Sequence, residues 1–422
     1  MQKKYGILAQ RAATRLAGLF IAGGLMAFGP CALAAPDPIR IGAIFDKTGG
    51  LNIYGIQQSR ALHLAVDEVN AAGGVAGRRV EVAEADSQSE DAKYTQYATT
   101  LILKDRVSAL FAGLTSSSRE AIRPIVRRSK IPYFYSSLYE GGACDRQTFV
   151  TGATASQQLS VLVKWAIKKY GPKVYIMAPD YNFGTISAQW VRLFAKEFGG
   201  EVVGADFLPL TLTDYSPTIN KIQQVKPDFL VALPVGANQT GFLEQMAAAG
   251  LKSRVGVVST NYGGGNQQVV VSPQAGEGIV AALEYLAWID TPRNKAFKAA
   301  WEKSYGNKEP VTAVAVDVYN AVHLWAKAAN KAQSAEPAKV IQAFEEGDGV
   351  TFDSPGGPVT MQPKSHHVRQ NIYIGVGTKT QSFDIVETYA SVAPKFEDQV
   401  CDLIASPQTA QHFTPGASSA PN

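Results

Sequence analysis

Small hydrogen-bonding groups and aromatic rings follow most of the apolar segments that the sequence predicts to be strands. Hydroxyls, amides and rings of this kind can hold a small, partly apolar solute with a polar head, without covalent chemistry. Because ligands bind beyond the carboxyl ends of the strands in doubly wound sheets, these side chains are candidates for one shared site. The candidate ligand-binding residues of this group are Tyr54, Ser116, Ser117, Ser137, Tyr139, Tyr181, Phe183, Gly236, Asn261 and Tyr262.

The serines at 116–118 also have a simpler interpretation. They precede a predicted helix, where serine hydroxyls commonly only cap the first turn, and tyrosines at strand ends often only border the core. The partial positive charge of a helix N-terminus would favour a carboxylate or carbonyl oxygen of a ligand at the same place. The same residue types recur after strands in both halves of the chain, and this repetition favours a shared ligand site.

Sequence motifs for catalysis, metal binding or nucleotide binding are absent. No His-Glu-x-x-His pattern, Gly-x-Ser-x-Gly elbow or Gly-x-x-x-x-Gly-Lys-Ser/Thr loop occurs. The pair His366–His367 lies in a polar turn, which indicates a solvated surface more than a metal site. We therefore expect a protein that is not an enzyme and has no metal or cofactor. A secreted amidase that uses a serine of 116–118 is an alternative, but His63, on a helix predicted away from the strand ends, is not a plausible base.

Hydrophobic periodicity predicts the elements that position these side chains. Short apolar runs alternate with helical segments over 39–135, and the same alternation restarts over 159–258. Such βαβα order is typical of a mostly parallel sheet with helices on both faces. The predicted fold class is α/β, with two doubly wound parallel-sheet lobes. Helices predominate over 294–346, short strands lie between 350 and 389, and the Ser-, Ala- and Pro-rich residues 403–422 are expected to be a disordered tail.

The positive net charge of the chain comes from its first residues. The sequence has 40 Lys and Arg against 36 Asp and Glu; four basic and no acidic residues lie within 1–34, so the remainder is balanced at 36 against 36. A basic start, an apolar run over 16–26 and the small residues Ala32 and Ala34 predict a secretory signal peptide cleaved after Ala34. An uncleaved transmembrane anchor is the alternative, but the apolar run is short for a span. A neutral mature chain argues against nucleic-acid binding.

Export would place the mature chain in an oxidising compartment, where disulfides persist. Beyond the predicted signal peptide only Cys144 and Cys401 remain. A disulfide between them would close a loop of 257 residues (401 minus 144), and two separate buried thiols are the alternative. Two cysteines alone do not form a structural zinc site.

Several stretches of the sequence match motifs of one known family. They are Ile39–Gly42, Thr48–Gly49, 69–78 and 113–118. On these stretches, and over about residues 38–402, the chain resembles the type I periplasmic substrate-binding proteins of ABC importers, of the class that binds branched-chain amino acids, urea or short-chain amides. The resemblance implies that 113–118 holds a ligand carboxylate, as in leucine-type receptors, and that Tyr54 places its ring over the ligand.

A second group of motifs is similar to the urea and short-chain amide branch of this family, which uses tyrosines around a small amide. The resemblance implies that Tyr135 and Tyr181 surround the ligand, and that Phe183 supplies a ring without the hydroxyl that is common at its position. These motifs are Tyr139–Gly141, Ala178–Tyr181, Ile289–Pro292 and Asp353–Val359.

One position departs from the amino acid receptors of the family. These typically place a carboxylate after the strand that ends near Val258, where it pairs with the ligand ammonium, but here 259–263 contains no acid. A buried ammonium without an anionic partner is costly, and Asp46 and Asp180, which could substitute, do not occupy the expected position. We therefore expect an amide, urea-like or carboxylate ligand in preference to a zwitterionic branched-chain amino acid.

The resemblance also implies an architecture and partners. The amino-terminal lobe would comprise about 36–154 and 287–357, and the carboxy-terminal lobe about 155–286 and 358–402, joined by three hinge crossings. A monomeric receptor in the periplasm would close on its small-molecule ligand and deliver it to ABC permease and ATPase subunits at the inner membrane. A periplasmic sensor component with the same fold and no transport role is the alternative.

Overall fold

The computed structural model describes residues 37–416. The predicted signal peptide, 1–34, lies outside the described residues, and so do 417–422. The strands are β1 (Ile39–Phe45), β2 (Val80–Asp86), β3 (Leu110–Ala112), β4 (Tyr133–Tyr135), β5 (Ala143–Asp145), β6 (Thr148–Val150), β7 (Lys173–Pro179), β8 (Glu201–Leu208), β9 (Phe229–Ala232), β10 (Gly256–Ser259), β11 (Val280–Leu283), β12 (Val350–Ser354), β13 (Gly357–Met361), β14 (Val368–Gly377), β15 (Phe383–Val392) and β16 (Ala410–His412). The helices are α1 (Asn52–Ala71), α2 (Asp91–Leu103), α3 (Ser116–Ser129), α4 (Ala155–Tyr170), α5 (Asn182–Glu197), α6 (Ser216–Val225), α7 (Ala237–Ala248), α8 (Gln267–Val270), α9 (Pro273–Gly276), α10 (Pro292–Tyr305), α11 (Ala313–Lys331), α12 (Pro337–Glu345) and α13 (Lys395–Val400).

The first sheet is wholly parallel, with the strand order β2-β1-β3-β4-β6. Its strand β1 is buried on both faces, because Ile41 packs in one core cluster with Leu62 of α1, whereas Ile44 packs in another with Tyr94 of α2 and Ile122 of α3. Helices therefore cover both faces of this sheet, as the βαβα order of the sequence predicts.

The second sheet begins with five parallel strands in the order β8-β7-β9-β10-β11. Strand β14 extends it antiparallel to β11 and pairs in turn with β13 and β15. Two parallel sheets in series confirm the predicted α/β class. Because β12 pairs with β13, the expected lobe boundary after residue 357 falls within this hydrogen-bonded hairpin, and the limits of the lobes stay a prediction.

The longest helices, α1 and α11, pack against each other beside the first sheet. Most of α11 is buried, including Tyr319 and Trp325, so it is a core helix rather than a surface helix. No helix within residues 37–416 has both the length and the apolar character that a membrane span requires.

The residues after 402 are ordered as far as 416, so the expectation of a disordered tail is wrong for 403–416. Leu403 is buried, and β16 pairs antiparallel with β5, so that Gln411 lies opposite Cys144. A disulfide joins Cys144 to Cys401, with 5.7 Å between their Cα atoms. The composition of this segment indicates disorder because it offers few apolar contacts of its own. Pairing of β16 with the distant strand β5 and the disulfide at Cys401 supply the missing contacts.

Candidate functional site

A small cavity lies where the carboxyl ends of strands from the two sheets meet. Residues that follow β4 and β10 and the end of β11 contribute to it, together with the starts of α5 and α11. Its free volume is about 10 Å³, roughly the space of one water, so it is too small in this arrangement for a larger solute. Its lining includes Ser137, Gln158, Phe183, Thr260, Glu284 and Val314.

Two of the predicted site residues, Ser137 and Tyr181, have buried hydroxyls that no other described residue satisfies. The Ser137 Oγ and the Tyr181 hydroxyl are buried and have no hydrogen-bond partner among residues 37–416. Ser137 lines the cavity, and the Tyr181 ring lies 6.2 Å, between centroids, from Phe183, which lines it too. Burial, with the nearby Tyr135 and Glu140, raises the pKa of Tyr181, so its hydroxyl stays a donor at neutral pH. Buried hydroxyls of this kind cost about 1–3 kcal/mol unless a ligand satisfies them.

Tyr54 joins the two lobes directly. Its buried hydroxyl accepts hydrogen bonds from the Gly236 N–H, at 3.2 Å, and from the Gln267 amide. Gly236 has a positive φ of 62°, and a Cβ there would lie 3.0 Å from the carbonyl oxygen of Gly50. Glycine is therefore required for the close approach of the two lobes at this point. The structure places both predicted residues at the interlobe contact.

Five predicted or neighbouring residues form a buried group that we call the ionic cluster: Ser116, Arg119, Tyr135, Tyr139 and Glu140. Arg119 Nη2 lies 2.6 Å from Glu140 Oε1, and both side chains are fully buried. The Ser116 hydroxyl donates to the other oxygen of Glu140. The guanidinium carbon of Arg119 lies 5.0 Å from the Tyr135 ring centroid and 4.8 Å from that of Tyr139. These contacts neutralise the fully buried charge of Arg119.

The hydroxyls of the ionic cluster are already used within the protein. The Tyr135 hydroxyl lies 2.7 Å from the Leu114 carbonyl oxygen and 2.6 Å from that of Leu138. The Tyr139 hydroxyl accepts from the Ala143 N–H at 2.6 Å and contacts His367.

The serines of the α3 start are also engaged. Ser117 Oγ bonds to Thr115, whose own side chain caps α3 by accepting from the Ser118 N–H at 3.1 Å. The hydroxyl of Ser116 is bonded to a carboxylate and not to an imidazole, so the amidase alternative gains no base here.

The structure places Asn261 and Tyr262 behind the cavity. The Asn261 amide donates to the Pro234 carbonyl at 2.7 Å, and its oxygen accepts from Ser259 and Gln239. The Tyr262 ring packs edge-on against Phe383, 5.6 Å between centroids, within the larger core cluster. Asn261 therefore braces the loop after β10, and Tyr262 packs in the core; neither lines the cavity.

Two acidic residues that the sequence analysis missed lie at the cavity. Glu284 follows β11 and lines the cavity, and Asp317 lies one turn beyond the cavity-lining start of α11. Burial raises the pKa of both carboxyl groups, and the charge of Glu284 raises that of Asp317 further. Ser137, Tyr181, Glu284 and Asp317 are called the cavity set below. A search after every strand end would have found Glu284, but 280–283 was not recognised as a strand.

Asp46 and Asp180 do not supply a ligand carboxylate. Asp46 accepts hydrogen bonds from Ser87, at 2.5 Å, and from the Tyr94 hydroxyl, at 2.8 Å. Asp180 is exposed. Among the residues that line the cavity, the acid is Glu284.

The His366–His367 pair is buried, and the expectation of a solvated turn is wrong. The His366 ring stacks on Phe149 with 4.1 Å between centroids, and His367 Nε2 lies 2.9 Å from the Tyr139 hydroxyl. Burial lowers the pKa of each imidazole to about 3, so both are neutral. Across residues 37–416, no group of three or more side chains is arranged to hold a metal ion.

A sequence model of periplasmic binding proteins matches residues 38–381 of the chain. A curated relative, Leu/Ile/Val-binding protein homolog 6 of Brucella melitensis biotype 1, is 27% identical over 350 residues, which are 81% of this chain and 88% of the relative. Homolog 7 of Brucella abortus is 23% identical over 336 residues, 75% of this chain and 83% of that protein.

Solved structures of solute-binding proteins share the fold. An ABC transporter solute-binding protein from Rhodopseudomonas palustris, in complex with p-hydroxybenzoic acid, is 26% identical with a TM-score of 0.75, over 85% of this chain and 98% of that one. A leucine-binding protein from Thermotoga maritima is 20% identical with a TM-score of 0.73, over 83% of this chain and 99% of that one, and supports the fold alone.

Proposed function

This chain belongs to the periplasmic binding protein family, and on that premise we propose that it is the solute receptor of an ABC importer. Its relatives are binding proteins, which confirms the expectation that the chain is not an enzyme. In the proposed mechanism, a small solute enters between the lobes, hinge closure buries it, and the closed receptor docks on permease subunits whose ATPase partners drive import. Residues 1–34 would be removed during export to the periplasm, and the receptor would act as a monomer.

The observation that carries this proposal is the position of two unused donors on opposite sides of the cleft. Ser137 follows β4 of the first sheet and Tyr181 follows β7 of the second, and neither hydroxyl has a partner in the described part of the chain. A ligand that bonds to both would interact with the closed arrangement more strongly than with an open one. Such differential affinity is what a ligand needs to shift a hinge equilibrium.

The charge of the cavity disfavours an anionic head. Its lining residues include no Lys, Arg or His, and the Arg119 charge is taken up by Glu140. A carboxylate ligand would therefore meet no cation, whereas an amide or urea-like group can bond to Ser137 and Tyr181. Phe183 and Val314 supply apolar contacts for the rest of the ligand. The hydroxybenzoate complex of the relative and the leucine receptor define the competing ligands.

Isothermal titration of the mature chain, residues 35–422, tests the proposal. The protein is unfolded and refolded first to remove any retained solute. The panel comprises urea, acetamide, longer short-chain amides, leucine and 4-hydroxybenzoate. We expect heat and thermal stabilisation from an amide or from urea. A panel without heat and without a shift in Tm contradicts the receptor assignment.

A serine variant tests the position of the site. Ser137→Ala should weaken binding of the best ligand about tenfold, because one hydrogen bond contributes about 0.5–1.5 kcal/mol. Ser253→Ala is the matched control, since Ser253 is exposed and bonds only to the Gly250 carbonyl. Equal affinities for the two variants would remove Ser137 from the site.

Loss of ligand uptake on deletion of the gene would distinguish import from sensing.

A further inference from the structure

One buried carboxyl group, that of Glu284, lines the interlobe cavity, and a second, that of Asp317, lies beside it. Glu284 comes from the end of β11 and Asp317 from α11, and their side chains belong to residues that are 8% and 1% exposed. Neither forms a salt bridge with any residue of the described range, although ion pairs are frequent elsewhere in that range. A buried carboxylate without a cationic partner is costly, so these two are candidates for contact with something outside the chain.

The hydrogen-bonding capacity of the pair is largely unused. Glu284 Oε2 and both Asp317 oxygens receive no donor from residues 37–416. The two groups lie within hydrogen-bond reach of each other, a contact that needs a proton on one of them. At least one carboxylate oxygen therefore remains free to accept a hydrogen bond at the cavity.

An independent observation points to a ligand at the same place. Ser137 lines this cavity together with Glu284, is 2% exposed, and its Oγ has no partner among the described residues. The cavity thus combines an alcohol donor from the first lobe with an acid acceptor, Glu284, from the end of β11. Unused donors and acceptors that face one small space are complementary to a head group that both accepts and donates.

We propose that Glu284, with Asp317 behind it, receives the N–H donors of the ligand head group, so that the receptor selects amides, ureas and amidinium-type heads over carboxylates of the same shape. This assignment rests on the proposed function, because it requires that the ligand occupy the interlobe cavity. A carboxylate head has no N–H to give and would add a further negative charge beside the pair. An N–H head satisfies the free oxygen, and a cationic one also balances its charge.

Three probes of nearly identical shape test this selection. Acetate, acetamide and acetamidinium each have four heavy atoms in one plane, and they carry no N–H, two N–H and four N–H groups respectively. The refolded mature chain should bind them in increasing order from acetate to acetamidinium, as measured by isothermal titration. Glu284→Gln should weaken acetamidinium about tenfold or more and leave acetate unchanged or tighter, because a hydrogen bond to a charged group is lost.

Two further variants complete the experiment. Asp317→Asn should reduce the preference for acetamidinium less than Glu284→Gln does, because Asp317 acts through Glu284. Glu277→Gln is the matched control: Glu277 is exposed and its carboxylate pairs with Lys379 on the surface. Thermal unfolding of each variant shows that it is folded before titration.

The outcomes separate the two proposals. The subsite assignment is overturned if acetate binds most tightly, or if Glu284→Gln leaves the order of the probes unchanged. It is also overturned if none of the three binds while leucine or 4-hydroxybenzoate does, a result that leaves the receptor function standing. If nothing in either panel binds, the receptor function itself fails.

Discussion

The ionic cluster and the cavity set contain similar side chains in different circumstances. In the ionic cluster, Ser116 donates to Glu140, and Arg119 is held by that carboxylate and by two tyrosine rings. In the cavity set, the Ser137 and Tyr181 hydroxyls have no hydrogen-bond partner among residues 37–416. The Asp317 carboxyl group has only its contact with Glu284. Both groups contain serine, tyrosine and acid, and all members are buried except Tyr181, which is half-buried with a buried hydroxyl.

The difference shows how a binding group can be distinguished from a structural one. Residue type does not separate the two groups, because serine and tyrosine follow strands in both. Unused hydrogen-bonding capacity does separate them, since a folded protein normally satisfies its buried polar atoms. We therefore expect changes in the ionic cluster to reduce stability and changes in the cavity set to reduce affinity.

The largest effect should come from Arg119→Ala in the ionic cluster. It leaves the buried Glu140 carboxylate without its cation and should lower the free energy of unfolding by about 3–5 kcal/mol, measured by urea denaturation. Arg192→Ala, at an exposed position of α5, is the control and should change stability by less than about 0.5 kcal/mol. Similar losses at the two positions would contradict the structural role of the cluster.

The disulfide should have the next largest effect. The segment that Cys401 anchors brings His412 Nε2 to 3.3 Å from Glu140 Oε1, so it covers the ionic cluster and not the cavity. Replacing Cys144 and Cys401 together by alanine should lower the free energy of unfolding by about 2–4 kcal/mol. Ligand affinity, from titration below the unfolding temperature, should stay within about twofold. A large loss of affinity would show that the two regions are coupled.

A third acid, Glu397, predicts a pH dependence of stability. Its Oε1 accepts from the Gly142 N–H at 3.1 Å, and burial raises its pKa to about 7. Because the folded pKa lies above the unfolded value, the contribution is full below about pH 4.5 and is lost as pH rises through about 7. In the wild type, the free energy of unfolding measured by urea denaturation should therefore contain a contribution that falls between pH 5 and 7, by at most about 3 kcal/mol. Glu397→Gln should remove this pH dependence. Glu302→Gln, at an exposed position of α10, should keep the wild-type slope.

The smallest effect on stability should come from the cavity set itself. Tyr181→Phe removes a hydroxyl that has no partner within the described chain, so the free energy of unfolding should change by less than about 0.5 kcal/mol. Affinity for the amide ligand should fall about tenfold in the same protein. Tyr389→Phe on β15 is the matched control, because its hydroxyl bonds to Glu387 away from the cavity. Stability loss without affinity loss would place Tyr181 with the structural residues.

Local pattern predicted the sheets and the positions of some residues of the candidate site. Alternating apolar runs and helices indicated both parallel sheets, and the position after strands indicated Ser137, Tyr181 and Phe183. These predictions depend on short-range periodicity and on a general property of parallel sheets, which the sequence carries directly.

Long-range pairing could not be read in the same way. The partner of Arg119 lies 21 positions away, at Glu140, and the two are brought together only by the loop after β4. Strand β11 has only four residues and was not recognised in the sequence, so the acidic residue Glu284 after it was missed. Strand β11 pairs with β10, and the residues after β10, 259–263, contain no acid. The prediction of a solvated turn at 366–367 was wrong because Phe149 and Tyr139, more than 200 positions earlier in the chain, cover the two imidazole rings.

The link between Cys144 and Cys401 turns most of the protein into a covalent ring. It encloses α4 to α13 and β6 to β15, and so the whole second sheet. A protease that cuts once anywhere inside this ring leaves two fragments that remain attached, and they migrate as one species until a reductant is added. In the proposed receptor, opening of the cleft would therefore expose loops without leaving the molecule one cut away from falling apart, an advantage outside the cytoplasm.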